Sequence, residues 1–214
     1  MEYATAIRDR ICGYPVGIPI ITREMAHSLA DELSIPLGEA RNLVSVNVSR
    51  LIEAGIVERF CSGIVYRPER SAFGAVPLDP AELAARLYVN TGEDVVGYVT
   101  GAAFLHEVGA CTWMPREIEI ATNANVRDTK AKLLSVKLLR PKTRVTAENA
   151  EYLQSLDAVA NLVRLAVDGD DPEGVLWRHV RGRLDLGKLL GMASRYYPTS
   201  VVRSLARMAE RDAA

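Results

Sequence analysis

Along the first seventy positions the apolar residues change their spacing, and each change marks an element. Residues 3–12 carry apolar side chains at helical intervals, and GYPVGIPIIT then breaks any helix with Gly13, Pro15, Gly17 and Pro19. Helical periodicity resumes over residues 23–33, where Met25, Ala26, Leu29, Ala30 and Leu33 share one side. Pro36 and Gly38 are expected to supply a turn. A third helix is predicted over residues 38–54, stopped by Gly55 in the place of a C′ glycine. Wound at about 100° per residue, it gathers Leu37, Ala40, Val44, Val48, Leu51 and Ile52 on its core side. The stretch IVERFCSGIVYRP then offers two β-branched and aromatic runs joined at Ser62-Gly63, a hairpin signal.

Residues 67–80, RPERSAFGAVPLDP, have no apolar period and read as a domain boundary. A helix restarts at Asp79-Pro80-Ala81-Glu82, with an acidic N-cap, proline at the first helical position and glutamate at N3. Strands are expected at 94–100, 116–122 and 133–140, with a short helix at 101–109. Helices are predicted over 147–166, 172–182, 185–196 and 199–212. The fold class expected is α+β: a winged helix-turn-helix over residues 1–70, a linker over 71–80, and a mixed domain over 81–214 with a small sheet and several C-terminal helices.

The outer face of the third helix presents Glu39, Asn42, Ser45, Val46, Ser49 and Arg50. Short hydrogen-bonding residues with an arginine suit close approach to base edges, whereas a merely solvated face is more often Glu and Lys. Candidate contacts to double-stranded DNA are therefore Arg41, Asn42, Ser45, Ser49 and Arg50, with Arg59 and Arg67 flanking the hairpin.

A net charge of −1 argues against a nucleic-acid binder until the chain is divided. Residues 127–144 hold seven Lys and Arg against Asp128 alone, and residues 178–214 hold eight against three acids. On the last predicted helix Arg203, Arg207 and Arg211 recur every four residues, while Val201, Val202, Leu205, Met208 and Ala209 form its core stripe. Lys137, Arg140, Lys142 and Arg144 form a second basic group. Both rows are candidates for phosphate backbone or an acidic partner. Residues 1–70, by contrast, have eight Arg and no Lys against nine acids, so the C-terminal rows are expected to add charge to any DNA contact.

Little else in the sequence points to chemistry. Gly182 to Lys188 fits the GxxxxGK phosphate-loop spacing, but Leu189 replaces the required Ser or Thr and a helix is expected before it; Gly187 and Gly191 read instead as close helix packing. Glu117 and Glu119 alternate on a strand, without the third carboxylate and lysine of a metal nuclease. Cys12, Cys61 and Cys111, and His27, His106 and His179, are scattered and suggest neither disulfide nor metal site. No catalytic residues, cofactor or metal are expected. The charged, helical start and the absence of a long apolar run predict a cytoplasmic protein without a membrane anchor.

Residues 22–55, the hairpin ending IVYRP, GYVTGAAFLHEVGACTWMPREIEIATN, a basic strand and TAENAEYLQSLDAV together resemble the AbiEi-type antitoxins of bacterial abortive-infection toxin–antitoxin operons. The matching elements are the glycine-rich segment Gly97–Gly109, the turn Trp113-Met114-Pro115 and the strand Ile118–Asn123. The resemblance implies an N-terminal winged helix that binds inverted repeats in its own promoter. It also implies a C-terminal domain that counters a nucleotidyltransferase toxin, with direct binding of that toxin left open. Two other readings remain from the residues themselves: a winged-helix regulator with a small-molecule effector domain, and a winged helix used only for protein interaction.

Overall fold

In the computed structural model, which describes residues 2–165 and 167–213, the chain divides into two units, Met1–Leu83 and Ala84–Ala214. The first begins with α1 (Glu2–Gly13), β1 (Pro19–Ile21), α2 (Thr22–Leu33) and α3 (Leu37–Glu53), followed by β2 (Glu58–Cys61) and β3 (Ile64–Tyr66). The three strands form one antiparallel sheet in the order β1-β3-β2. Their helices close over a core that includes Ile7, Ile11, Met25, Leu29, Val44, Val48 and Leu51, the same residues whose spacing predicted the helices. Arg10 ties α1 to α2 through Glu32, at 2.7 Å, and Ser28, at 2.6 Å.

Ser34, not Gly38, makes the turn between α2 and α3. Its backbone is left-handed, with φ 52° and ψ 40°, and its N–H caps α2 on the Ala30 carbonyl. Pro36 then precedes the first turn of α3, and Gly38 is already helical. Gly55 ends α3 as expected: at φ +66° its N–H reaches the Ile52 carbonyl while Ile56 N–H reaches Leu51, the paired bonds of a Schellman cap.

Residues 71–80, expected as a linker, include local structure. β4 (Arg70–Ser71) and β5 (Gly74–Ala75) make a small hairpin, closed by the Ser71 hydroxyl, which donates to the Gly74 carbonyl and accepts from Phe73 N–H. Arg70 anchors it to the Gly55 carbonyl at 2.8 Å. Small polar residues read as loop because their side chains hydrogen-bond locally, and here those bonds build a turn. The division between units falls within α4 (Pro80–Tyr88), whose cap Asp79 accepts from Ala81 N–H.

The second unit opens with the hairpin β6 (Asn90–Thr91) and β7 (Asp94–Val95), then β8 (Gly97–Thr100), α5 (Gly101–Glu107), β9 (Ile118–Thr122), α6 (Lys130–Leu133) and β10 (Val136–Leu139). The run expected as one strand at 94–100 is thus two. The strand expected at 133–140 is shortened by α6 and by Ser135, which takes φ +53°. The sheet order is β10-β9-β8, with β9 parallel to β10 and antiparallel to β8. Helices α7 (Ala150–Arg164), α8 (Pro172–Arg181), α9 (Leu186–Tyr196) and α10 (Thr199–Ala213) complete it. Asp171 and Asp185 cap α8 and α9, accepting from Gly174 and Lys188 N–H. Leu153 and Leu156 of α7, Leu105, Leu176, Leu189 and Leu205 share one core. Among the described residues no helix is long and apolar enough to cross a membrane.

Gly97 sits where two carbonyls converge: a Cβ there would lie 2.1 Å from the Tyr88 oxygen and 2.7 Å from that of Ala121. Both obstacles are backbone and cannot swing aside. Gly97→Ala is expected to destabilise the second unit by about 3 kcal/mol, read as a lower urea midpoint; an unchanged midpoint would refute this packing.

Candidate nucleic-acid interface

A groove of about 490 Å³ runs along α3 in the first unit. Arg41 and Ser45 of α3 form one side, Thr22 and Arg23 at the start of α2 close one end, and Arg59 of β2 with the Ser62-Gly63 turn forms the other side. Sheet register explains the hairpin side. Arg59 pairs with Val65, which also lines the groove, while the neighbouring Glu58 pairs with Tyr66. Alternation sends Glu58 to the opposite face, where it accepts a 3.0 Å bond from the Tyr66 hydroxyl. A register shift after Arg59 lets the hairpin close on Cys61 and Ile64.

The turn is held in place by Thr22. Its N–H and its hydroxyl both donate to the Gly63 carbonyl, at 3.0 and 3.2 Å, and Gly63 adopts φ +83° to present it. Arg23, Arg41 and Arg59 are exposed, are in no ion pair among the described residues, and no carboxylate lines the groove with them. Three free guanidiniums on a concave wall of hydroxyls can hold phosphate oxygens, each offering paired donors. Arg23 was not among the residues anticipated. Its position at the second residue of a helix gave no sign that the hairpin would fold back beside it.

The anticipated contacts divide. Arg41, Ser45 and Arg59 meet in the groove, Asn42 and Arg50 are exposed elsewhere on α3, and Ser49 is half-buried. Arg67 is a correction. Its Nη1 donates to the carbonyls of Cys12 and Tyr14, at 2.5 and 2.7 Å, so it fastens the hairpin's exit to the end of α1 instead of facing outward.

Part of the basic set anticipated in the second unit is already paired. Arg207 binds Glu173, and Arg211 reaches Glu173 and Asp171, both at 3.3 Å, so the guanidinium row ties α10 to α8. Lys137 pairs with Glu119 at 2.7 Å, because the parallel register sets these two residues opposite one another. Arg140, Lys142, Arg144 and Arg203 are exposed and in no ion pair among the described residues. Glu119 also takes Arg164 at 3.2 Å. Partial burial opposes its ionisation, yet Lys137 and Arg164 together hold its carboxyl below the ordinary range. The GxxxxGK stretch runs from the C-cap of α8 at Gly182 into the first turn of α9, and a Cβ on Gly191 would meet open space, so close helix packing does not account for that glycine.

Compared with known protein families and with curated proteins, the chain gives no match.

Deeper in the second unit, Asp157 of α7 accepts 2.8 Å bonds from the hydroxyls of Tyr98 and Tyr197, one to each oxygen. Burial drives its carboxyl above the usual range, outweighing the two tyrosines and the nearby Lys142. A carboxyl raised on folding makes the folded state the better proton binder, so stability falls as pH climbs from the ordinary carboxylate range through the folded value. Asp157→Asn keeps both partners and removes the charge. It is expected to match or exceed the parent's denaturation midpoint at pH 7, with the gain shrinking as pH falls into the carboxylate range. A lower midpoint at pH 7 with an unchanged pH profile would contradict this.

Proposed function

We propose that this chain is a transcription regulator that binds double-stranded DNA through a winged helix-turn-helix, with α3 as the reading helix and the β2-β3 hairpin as the wing. The order α1-β1-α2-α3-β2-β3 with sheet order β1-β3-β2 supports that reading. The observation that carries it is charge placement. Residues 1–70 are slightly acidic in sum, yet the groove beside α3 gathers Arg23, Arg41 and Arg59 without one lining carboxylate. Phosphate contacts from these arginines would set the register of the duplex, and Asn42, Ser45 and Arg50 would supply the sequence-dependent contacts. Autorepression at inverted repeats, and service as the antitoxin to a nucleotidyltransferase, are proposed on the resemblance of residues 97–123 and their neighbours. Restored growth when the chain is co-expressed with a neighbouring nucleotidyltransferase would test the second role; continued arrest would reject it.

Fluorescence anisotropy with the duplex upstream of its reading frame, repeated across salt concentrations, tests the DNA reading. Alanine at Arg23, Arg41 and Arg59 together is expected to weaken binding to any sequence and to flatten the log–log salt slope by roughly 3, about one for each phosphate no longer neutralised. Alanine at Asn42, Ser45 and Arg50 is expected to reduce preference for that duplex over a scrambled one by about 1–3 kcal/mol for each base pair no longer read. Salt-independent binding, or a slope unmoved by the triple replacement, would reject the groove.

Arg207 and Arg211 act differently because their charges are already matched. Their joint replacement by alanine is expected to leave DNA affinity unchanged and to lower the second unit's stability by at most about 1 kcal/mol, less at high salt. A large affinity loss would show that the row meets DNA after all.

A further inference from the structure

The second unit contains a cleft of about 300 Å³ that the DNA reading does not use. It lies between α7 and α10. Val159 and Ala160 of α7 and Val201 of α10 give it an apolar floor, and Lys142 and Arg164 stand at its rim. Ser200 and Ser204 line it from the first turns of α10.

Ser204 is the informative residue. Only 9% of it is exposed, it lines the cleft, and its hydroxyl makes no hydrogen bond among the described residues. A serine inside a helix can turn its hydroxyl back to the carbonyl four residues earlier; here that bond is not made and the hydroxyl is not sealed from solvent, so it opens into the cleft. The donor is available inside the cleft. Arg164 is likewise prepared: Nε donates to Asn161 at 3.0 Å and Nη2 to Glu119 at 3.2 Å, which fixes the guanidinium plane and leaves its other N–H groups unused. Lys142 adds a mobile positive charge.

A guanidinium, an ammonium, a hydroxyl and the start of a long helix line one cleft, a donor set that suits an oxyanion with several acceptor oxygens. A duplex is too broad to enter a cleft of about 300 Å³, whereas a small molecule is not. The apolar floor requires that the anion carry an organic body. We propose that this cleft binds a small phosphate monoester with an aromatic or otherwise apolar group, its phosphate held by Lys142, Arg164 and Ser204 and its body lying on Val159, Ala160 and Val201. The site lies wholly within the second unit and does not depend on the DNA reading.

Isothermal titration calorimetry on the full chain tests it, with phenyl phosphate and adenosine monophosphate as probes and inorganic phosphate and benzoate as comparisons. At least one ester is expected to bind saturably at one site per chain, about tenfold or more tighter than inorganic phosphate or benzoate. Lys142→Gln and Ser204→Ala are each expected to weaken it about five- to tenfold. Lys142 is exposed and its replacement leaves the core untouched, so an altered melting temperature in Ser204→Ala would still leave Lys142→Gln decisive. Absence of saturable binding by both esters, equal binding of inorganic phosphate or benzoate, or affinity unmoved by Lys142→Gln would overturn the assignment.

Discussion

Everything proposed for the first unit depends on two hydrogen bonds from Thr22 to the carbonyl of Gly63. They hold the Ser62-Gly63 turn against the start of α2, so the hairpin lies alongside α3 as the second wall of a groove. Gly63 makes this possible with φ +83°, a backbone state that costs a residue with a side chain about 1–2 kcal/mol. Released from Thr22, the hairpin would carry Arg59 away from Arg41. The cationic wall is therefore a product of backbone geometry as much as of the arginines themselves.

Charge is managed by pairing in both units. Glu58 is taken up by Tyr66 on the far side of the sheet, Glu32 by Arg10, and Asp171 and Glu173 by Arg207 and Arg211. Among the cations in no ion pair within the described residues are Arg23, Arg41 and Arg59 along the groove, and Lys142 at the rim of the α7-α10 cleft. A nearly neutral chain thus keeps concentrated positive potential where concave surface favours an anion. Several of the acids that balance the total join elements together.

The second unit places its polar interior around α7. Asp157 receives Tyr98 from β8 and Tyr197 from the segment before α10, and Gln154 donates to the Val99 carbonyl at 2.9 Å. These bonds orient α7 against the sheet and against α10 while Leu153 and Leu156 supply the apolar contact. The cleft beside Ser204 borders that same framework, with Tyr197 among its lining residues, so its shape is fixed by groups already satisfied.

Local signals in the sequence determined the elements that depend on local physics. The helical spacing of Met25, Leu29, Val44 and Val48, the cap at Gly55, the turn at Ser62-Gly63 and the acid cap at Asp79 all act within a few residues, so the chain states them directly. The arginines and their number were equally legible. Only the tertiary structure decided which of them are free. Arg67 is consumed by carbonyls 53 and 55 residues earlier, Arg207 and Arg211 by acids at least 34 residues away, and Lys137 by the register of a parallel strand. Arg23 gained its place only when the hairpin closed beside it. Electrostatic pairing depends on distance in space, and distance along the chain carries no record of it.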